Sequence, residues 1–144
     1  YGKALDIDFV ALRYFNVYGP GEERKGKMAS VAYQAYKLGQ FKLFPKKPKR
    51  DFVYIKDIVS ATIYPLFNNV KPGVYEVGSG EARLFEDVLD LMKIPYKYKQ
   101  EYEIPDWYQY HTKSDKSKWM PGWEPEYNLE SGIKDYKDFL KWKY

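Results

Sequence analysis

Apolar runs dense in β-branched and aromatic residues alternate along this chain with segments whose apolar residues recur at helical spacing. That alternation limits the possible folds more than any other feature. Residues 8–15, Asp-Phe-Val-Ala-Leu-Arg-Tyr-Phe, read as a buried strand running into the turn formers Asn16-Val17-Tyr18-Gly19-Pro20-Gly21. A charged loop follows over 21–27. Met28, Val31, Ala32, Ala35 and Leu38 then fall at helical spacing, with Gly39 where a helix stop belongs. Residues 41–44 are a short strand candidate, 45–50 a basic loop, and 52–55 extended. Asp57 is placed to cap a helix reaching about Asn68, which Pro65 should kink or end early. Residues 74–77 form a strand closed by Gly78-Ser79-Gly80. Phe85, Val88, Leu89 and Met92 mark an amphipathic helix, and 96–102 another strand. Asn128 caps a last helix whose Leu129, Ile133, Tyr136 and Leu140 share one face. The expected class is α/β.

Composition excludes several functions. With 144 residues, 31% charged and 44% hydrophobic, the chain suits one ordinary domain or a piece of a larger one, and neither a disordered segment nor a membrane span. Its most apolar stretch, 58–67, holds Ser60, Thr62 and Pro65 and is too short to cross a bilayer. No Cys and a single His rule out zinc ribbons, disulfide scaffolds and thiol catalysis. The lack of Cys agrees with a cytoplasmic location. The chain opens on Tyr1 and shows no signal or transit peptide, so it reads as a fragment or a processed product. Charge is uneven: residues 1–72 carry 13 Lys and Arg against 6 Asp and Glu, and residues 73–144 carry 11 against 14. An anionic ligand is therefore expected on the first half, although a solvated surface would give the same balance.

Few local patterns carry chemistry by themselves. Gly78-Ser79-Gly80-Glu81-Ala82-Arg83 follows a strand and precedes a helix, but it puts Arg where close helix–strand packing wants Gly. It reads as an ordinary tight turn. Gly19-Pro20-Gly21 does not match either, and no Gly-Lys-Ser/Thr phosphate loop is present, so the pyrophosphate loop of any nucleotide cofactor lies elsewhere. His111, between Tyr110 and Thr112, reads as structural or surface. The cluster Lys37, Lys42, Lys46, Lys47, Lys49 and Arg50 is a pyrophosphate site, a nucleic-acid site or a solvated loop. Arg50 stands apart, because it enters the apolar Phe52-Val53-Tyr54 strand, where a guanidinium can grip a phosphate with two bonds. Lys25, between Arg24 and Lys27, is a candidate catalytic lysine or a surface one. A basic module for RNA or another anion is the non-enzymatic alternative that the cluster and its aromatics support.

Four blocks then carry a resemblance. Leu12-Arg13-Tyr14-Phe15-Asn16-Val17-Tyr18-Gly19-Pro20, Arg50-Asp51-Phe52-Val53-Tyr54-Ile55-Lys56-Asp57, and Val74-Tyr75-Glu76-Val77-Gly78-Ser79-Gly80 occur in that order. Lys113-Ser114-Asp115-Lys116-Ser117-Lys118 followed by Gly122-Trp123-Glu124-Pro125 completes the series. The chain resembles the extended short-chain dehydrogenase/reductases that act on sugar nucleotides. Within them, Gly19-Pro20-Gly21-Glu22-Glu23-Arg24-Lys25-Gly26-Lys27-Met28-Ala29-Ser30 is similar to the run of the ADP-heptose 6-epimerase branch, with Arg24 in place of the usual His.

The resemblance implies that residues 1–144 are the C-terminal portion of a longer Rossmann-type epimerase. They would hold the last Rossmann strands and the smaller substrate-binding domain. The cofactor-binding half and the Tyr of a Tyr-x-x-x-Lys pair would lie upstream of Tyr1. It implies NADP, with NAD possible, and an ADP-heptose substrate oxidised transiently at C-6″ in the making of lipopolysaccharide heptose. Another NAD(P)-dependent sugar-nucleotide epimerase or dehydratase is the alternative. It implies Lys25 as the second acid/base group, with Val17 and Lys25 at the cofactor and Asn16, Lys27, Gln34, Phe44, Arg50 and Tyr108 at the substrate. It further implies a homo-oligomer with no metal, nucleic-acid or membrane partner.

Overall fold

The computed structural model describes residues 7–100 and 108–143. The strands sort into three small sheets. β1 (Val10–Tyr14) pairs in parallel with β5 (Gly73–Val77), Leu12 opposite Tyr75. β2 (Asn16–Tyr18) pairs in parallel with β4 (Lys49–Tyr54), and β6 (Ala82–Leu84) closes the other edge of β4 antiparallel, Arg50 opposite Arg83. β3 (Phe41–Leu43) lies parallel to β7 (Tyr96–Tyr98). Helices α1 (Val31–Leu38), α2 (Ile55–Phe67), α3 (Phe85–Met92) and α4 (Leu129–Lys143) cover them. The α/β class is the one observed.

Two large cores hold the layers together. One packs Tyr18, Phe52 and Tyr54 of the central sheet against Tyr33, Val88, Met92, Ile133, Tyr136 and Leu140 of α1, α3 and α4. Burial pushes the Tyr18, Tyr54 and Tyr136 hydroxyls above the usual phenol range. The other packs Val53, Val77, Ile58 and Ala61 against Trp119, Met120 and Trp123 of the C-terminal block. Asn128 caps α4 by accepting the Ser131 N–H at 2.8 Å, and Leu129, Ile133, Tyr136 and Leu140 are all buried, as the spacing implied.

Several boundaries differ from the sequence reading. Asn16–Tyr18 is a strand rather than a turn, because β4 offers it three parallel partners. Lys49 and Arg50 leave the basic loop and join β4, held by β6, a strand that residue pattern alone did not suggest. The charged segment read as a loop is a 3₁₀ turn over Glu22–Met28, so Met28, 86% exposed, lies outside α1; Ser30 caps α1 instead, accepting the Tyr33 N–H. Asp57 lies inside the first turn of α2, buried, and accepts the Glu126 and Tyr127 N–H groups rather than capping its own helix. Pro65 falls in the last turn of α2, which ends two residues later. The strand expected over 96–102 is observed at Tyr96–Tyr98, and residues 101 and 102 lie outside the described residues. No helix among the described residues is long and apolar enough to cross a membrane.

Candidate functional site

The site begins where β2 ends. Gly19 turns the chain at φ +135°, and a Cβ there would sit 2.5 Å from Ile55 Cγ2, so only glycine fits between strand and α2. The loop that follows is tied at both ends by Glu22. This buried carboxylate accepts the Gly19 N–H at 2.8 Å, the Ser30 hydroxyl at 2.9 Å and the Ser30 N–H. From α1, the Gln34 amide donates to Ala29 O at 2.6 Å and Lys27 O at 3.2 Å. The loop carrying Lys25 is thus gripped from two sides.

A cleft of about 640 Å³ opens beside this loop. Asn16 and Val17 from β2, Lys25 from the loop, Gln34 from α1 and Phe44 after β3 line it together. Three other expected site residues do not line it. Lys27 is exposed on the loop. Arg50 is 9% exposed and donates to Lys49 O at 2.9 Å, with its guanidinium 5.0 Å from the Tyr108 ring centre. Tyr108 meets Phe44 edge to face at 6.2 Å, so Arg50, Tyr108 and Phe44 form one continuous wall with Phe44 as its cleft-facing member. Lys42, from the basic cluster, also lines the cleft, and so do Lys99 and Glu86, which the sequence did not single out. Only the pairings β3–β7 and β4–β6, which no local pattern announces, bring them there.

Directly behind Arg50 lies Asp51, with no solvent exposure. Its carboxylate accepts the Ser79 N–H and hydroxyl (both 2.7 Å), the Gly80 N–H (3.0 Å), the Ser114 N–H (2.8 Å) and the Ser114 hydroxyl (2.7 Å). Gly78 has to be glycine: a Cβ would lie 2.6 Å from Ser114 Oγ and 2.7 Å from Asp51 Oδ2. The Ser79 and Gly80 amides therefore serve Asp51, which agrees with the ordinary-turn reading. His111 is exposed and its segment bridges to Lys49 through the backbone. Among the described residues no three side chains are grouped to hold a metal.

Parallel strands whose carboxyl ends open onto a cleft, with a pinned charged loop at its mouth, define an α/β ligand-binding fold. Residues 1–78 match the family described as NAD dependent epimerase/dehydratase, and the chain belongs to that family. A relative from Brachyspira hyodysenteriae, named ADP-L-glycero-D-manno-heptose-6-epimerase, is 38% identical over 151 residues, covering 95% of this chain and 48% of its own. The crystal structure of the Helicobacter pylori enzyme of the same name superposes with a TM-score of 0.75 at 33% identity, over 94% of this chain and 45% of that one. A Thermus thermophilus UDP-glucose 4-epimerase solved with NAD superposes at 0.77 and 27% identity, over 98% and 49%. The chain spans about half the length of the curated relatives it matches.

Proposed function

We propose that this chain is the C-terminal, substrate-binding portion of an NADP-dependent epimerase that converts ADP-D-glycero-D-manno-heptose to its L-glycero epimer, for the heptose of the lipopolysaccharide core. The observation that carries this reading is the convergence of Asn16, Val17, Lys25, Gln34 and Phe44 on one cleft from two strand ends, a loop and a helix. NADP, when bound, supplies the reversible hydride carrier for oxidation at C-6″. Val17, in the short parallel strand β2 that lines the cleft, and Lys25 are the residues here that would hold it.

An epimerisation that returns hydride to the opposite face needs proton exchange with the C-6″ oxygen from two directions, and two groups do this better than one. Lys25 takes one direction, from a loop whose ends Glu22 fixes. Asn16 and Gln34 orient the sugar hydroxyls. The Gln34 amide nitrogen already serves the loop, so its oxygen is the group left for substrate. Phe44, backed by Tyr108, offers an aromatic face to the adenosine, and Arg50 behind them adds positive charge to the diphosphate's surroundings.

The test is to assay the full-length protein containing this chain with ADP-heptose and with UDP- and GDP-sugars, separating the epimers chromatographically. Turnover of ADP-heptose alone is the expected outcome. Turnover of a UDP-sugar in its place would assign the cleft to another sugar nucleotide, the reading that the Thermus likeness favours.

A further inference from the structure

Among the described residues of the cleft, Glu86 is the one carboxylate; Lys25, Lys42 and Lys99 are the charged side chains beside it. It sits in the first turn of α3, just past β6, and is 7% exposed. The helix N-terminus favours its negative charge. One oxygen accepts the Tyr98 hydroxyl at 3.0 Å, and this contact raises the Tyr98 phenol above its usual range. No ion pair joins Glu86 to any cation among the described residues, and its other oxygen has no hydrogen-bond partner there, yet it is not sealed from solvent. A carboxylate held by one neighbour and open at the cleft surface is an acceptor waiting for a donor.

The position says which part of a ligand it meets. β7 ends against β3, with Lys99 N–H donating to Leu43 O at 2.9 Å, and Lys99 Nζ lies 4.7 Å from the Phe44 ring centre. Glu86, bonded to Tyr98, and Phe44 line the same cleft. A phosphate there would meet like charge, whereas a hydroxyl or amine would complete the carboxylate's hydrogen bonds.

We propose that Glu86 is a specificity-determining residue of the cleft: its open oxygen accepts a hydrogen bond from a neutral donor of the ligand, a sugar hydroxyl or a base amine, and so sets which end of a sugar nucleotide lies against Phe44. This rests on the reading of the cleft as a sugar-nucleotide site. Where the donor is the base amine, this favours adenine over uracil, whose corresponding oxygen can only accept.

The experiment uses the full-length protein with its cofactor site saturated by NADP, comparing wild type, Glu86→Gln and Glu86→Ala. Calorimetry follows binding of ADP, 2′-deoxy-ADP, 3′-deoxy-ADP and inosine diphosphate, and steady-state kinetics follow ADP-heptose. Wild type should lose about tenfold or more in affinity for one analogue lacking the donor. Loss with a deoxy compound locates the donor on the ribose, and loss with inosine diphosphate locates it on the base. If all four nucleotides bind alike and only the KM for ADP-heptose rises in the variants, the donor is on the heptose. In each case Glu86→Ala should erase the discrimination and leave kcat within about twofold, and the isosteric Glu86→Gln should weaken it without lowering Tm. Equal affinities and an unchanged KM in both variants would overturn the proposal, as would a common loss of every ligand, NADP included. Should wild type bind UDP-sugars and no ADP compound, the ADP-heptose reading fails. The same comparison made on the UDP-sugar and its deoxyribose analogues then decides the role of Glu86 separately.

Discussion

Lys25 reaches the cleft from a loop that Glu22 pins at Gly19 and Ser30, whereas Arg50 stands behind the wall with Tyr108 across its guanidinium. The two cations should therefore fail differently. On the proposed reading of Lys25 as a proton-transfer group, Lys25→Met removes that group and leaves the aromatic wall and Arg50 in place. Epimerisation should fall by about a hundred- to ten-thousand-fold while ADP-sugar binding, followed by calorimetry, holds. Near-normal epimerisation would return Lys25 to the surface. On the proposed reading, Arg50→Ala removes the charge that acts from behind the wall on a diphosphate whose own charge is constant through the reaction. KM should rise with kcat nearly intact, and a collapse of kcat at constant KM would move Arg50 to the reacting centre.

At the scale of elements, α4 shows how a packing need overrides helix propensity. Gly132 lies in the first turn of α4, on its buried face, and a Cβ added there would sit 2.1 Å from the Tyr18 hydroxyl oxygen and 3.2 Å from Tyr54 Cβ. Glycine to alanine inside a helix ordinarily stabilises by about 1 kcal/mol, but overpacking a tight core costs about 1–3 kcal/mol. Tyr18 is fully buried between Tyr54 and Tyr136 and has nowhere to retreat. Gly132→Ala should therefore lower Tm, and a raised Tm would show that Tyr18 swings aside.

The periodic face of α4 was legible in the chain, as were α3 and β5, because each announces itself within its own residues. β2 and β6 were not. Each is three residues long and becomes a strand only because β4 lies beside it. The same reason divides the cleft. The residues on the motif blocks could be named from the chain, but Lys42, Lys99 and Glu86 enter through pairings between segments far apart in sequence. Arg50 and Tyr108 were named too, yet their place behind Phe44 depends on the ring contacts.

Over the whole molecule, Asp135 ties α4 to the central sheet and to α2, accepting from Lys56 Nζ at 2.8 Å and the Tyr54 hydroxyl at 2.6 Å. Lys56 first, then Tyr54, holds the Asp135 carboxyl below its usual range. The folded chain thus binds this proton less readily than the unfolded one. The stabilisation is complete above the ordinary aspartate value of about 4 and is lost as pH falls through the lower folded value. Asp135→Asn should cost Tm at pH 7 and progressively less as pH falls below about 4, and a cost that does not shrink with acidification would exclude the ion pair as the cause. A second property of the whole concerns α2 and the β1–β5 sheet, where Val59, Ile63, Leu66, Phe67 (81% exposed) and Val74 leave apolar surface open. The 144-residue chain expressed alone should elute in size-exclusion chromatography as more than a monomer, and Phe67→Lys should shift it toward one. A monomeric wild type would show that this face tolerates water.

The Asp51 knot has a consequence for the order of folding. Its donors come from Ser79 and Gly80 and from Ser114, 63 residues further along the chain. Translation at about 5–20 residues per second leaves Asp51 waiting several seconds for its last two donors. Until then β4 carries an ionised side chain that cannot be buried without loss, and contacts this distant form slowly even in a free chain. The strand that supports Arg50 and Phe52 should therefore be among the last to acquire protection against hydrogen exchange as the protein emerges, so that the cleft takes shape only once the C-terminal block has arrived.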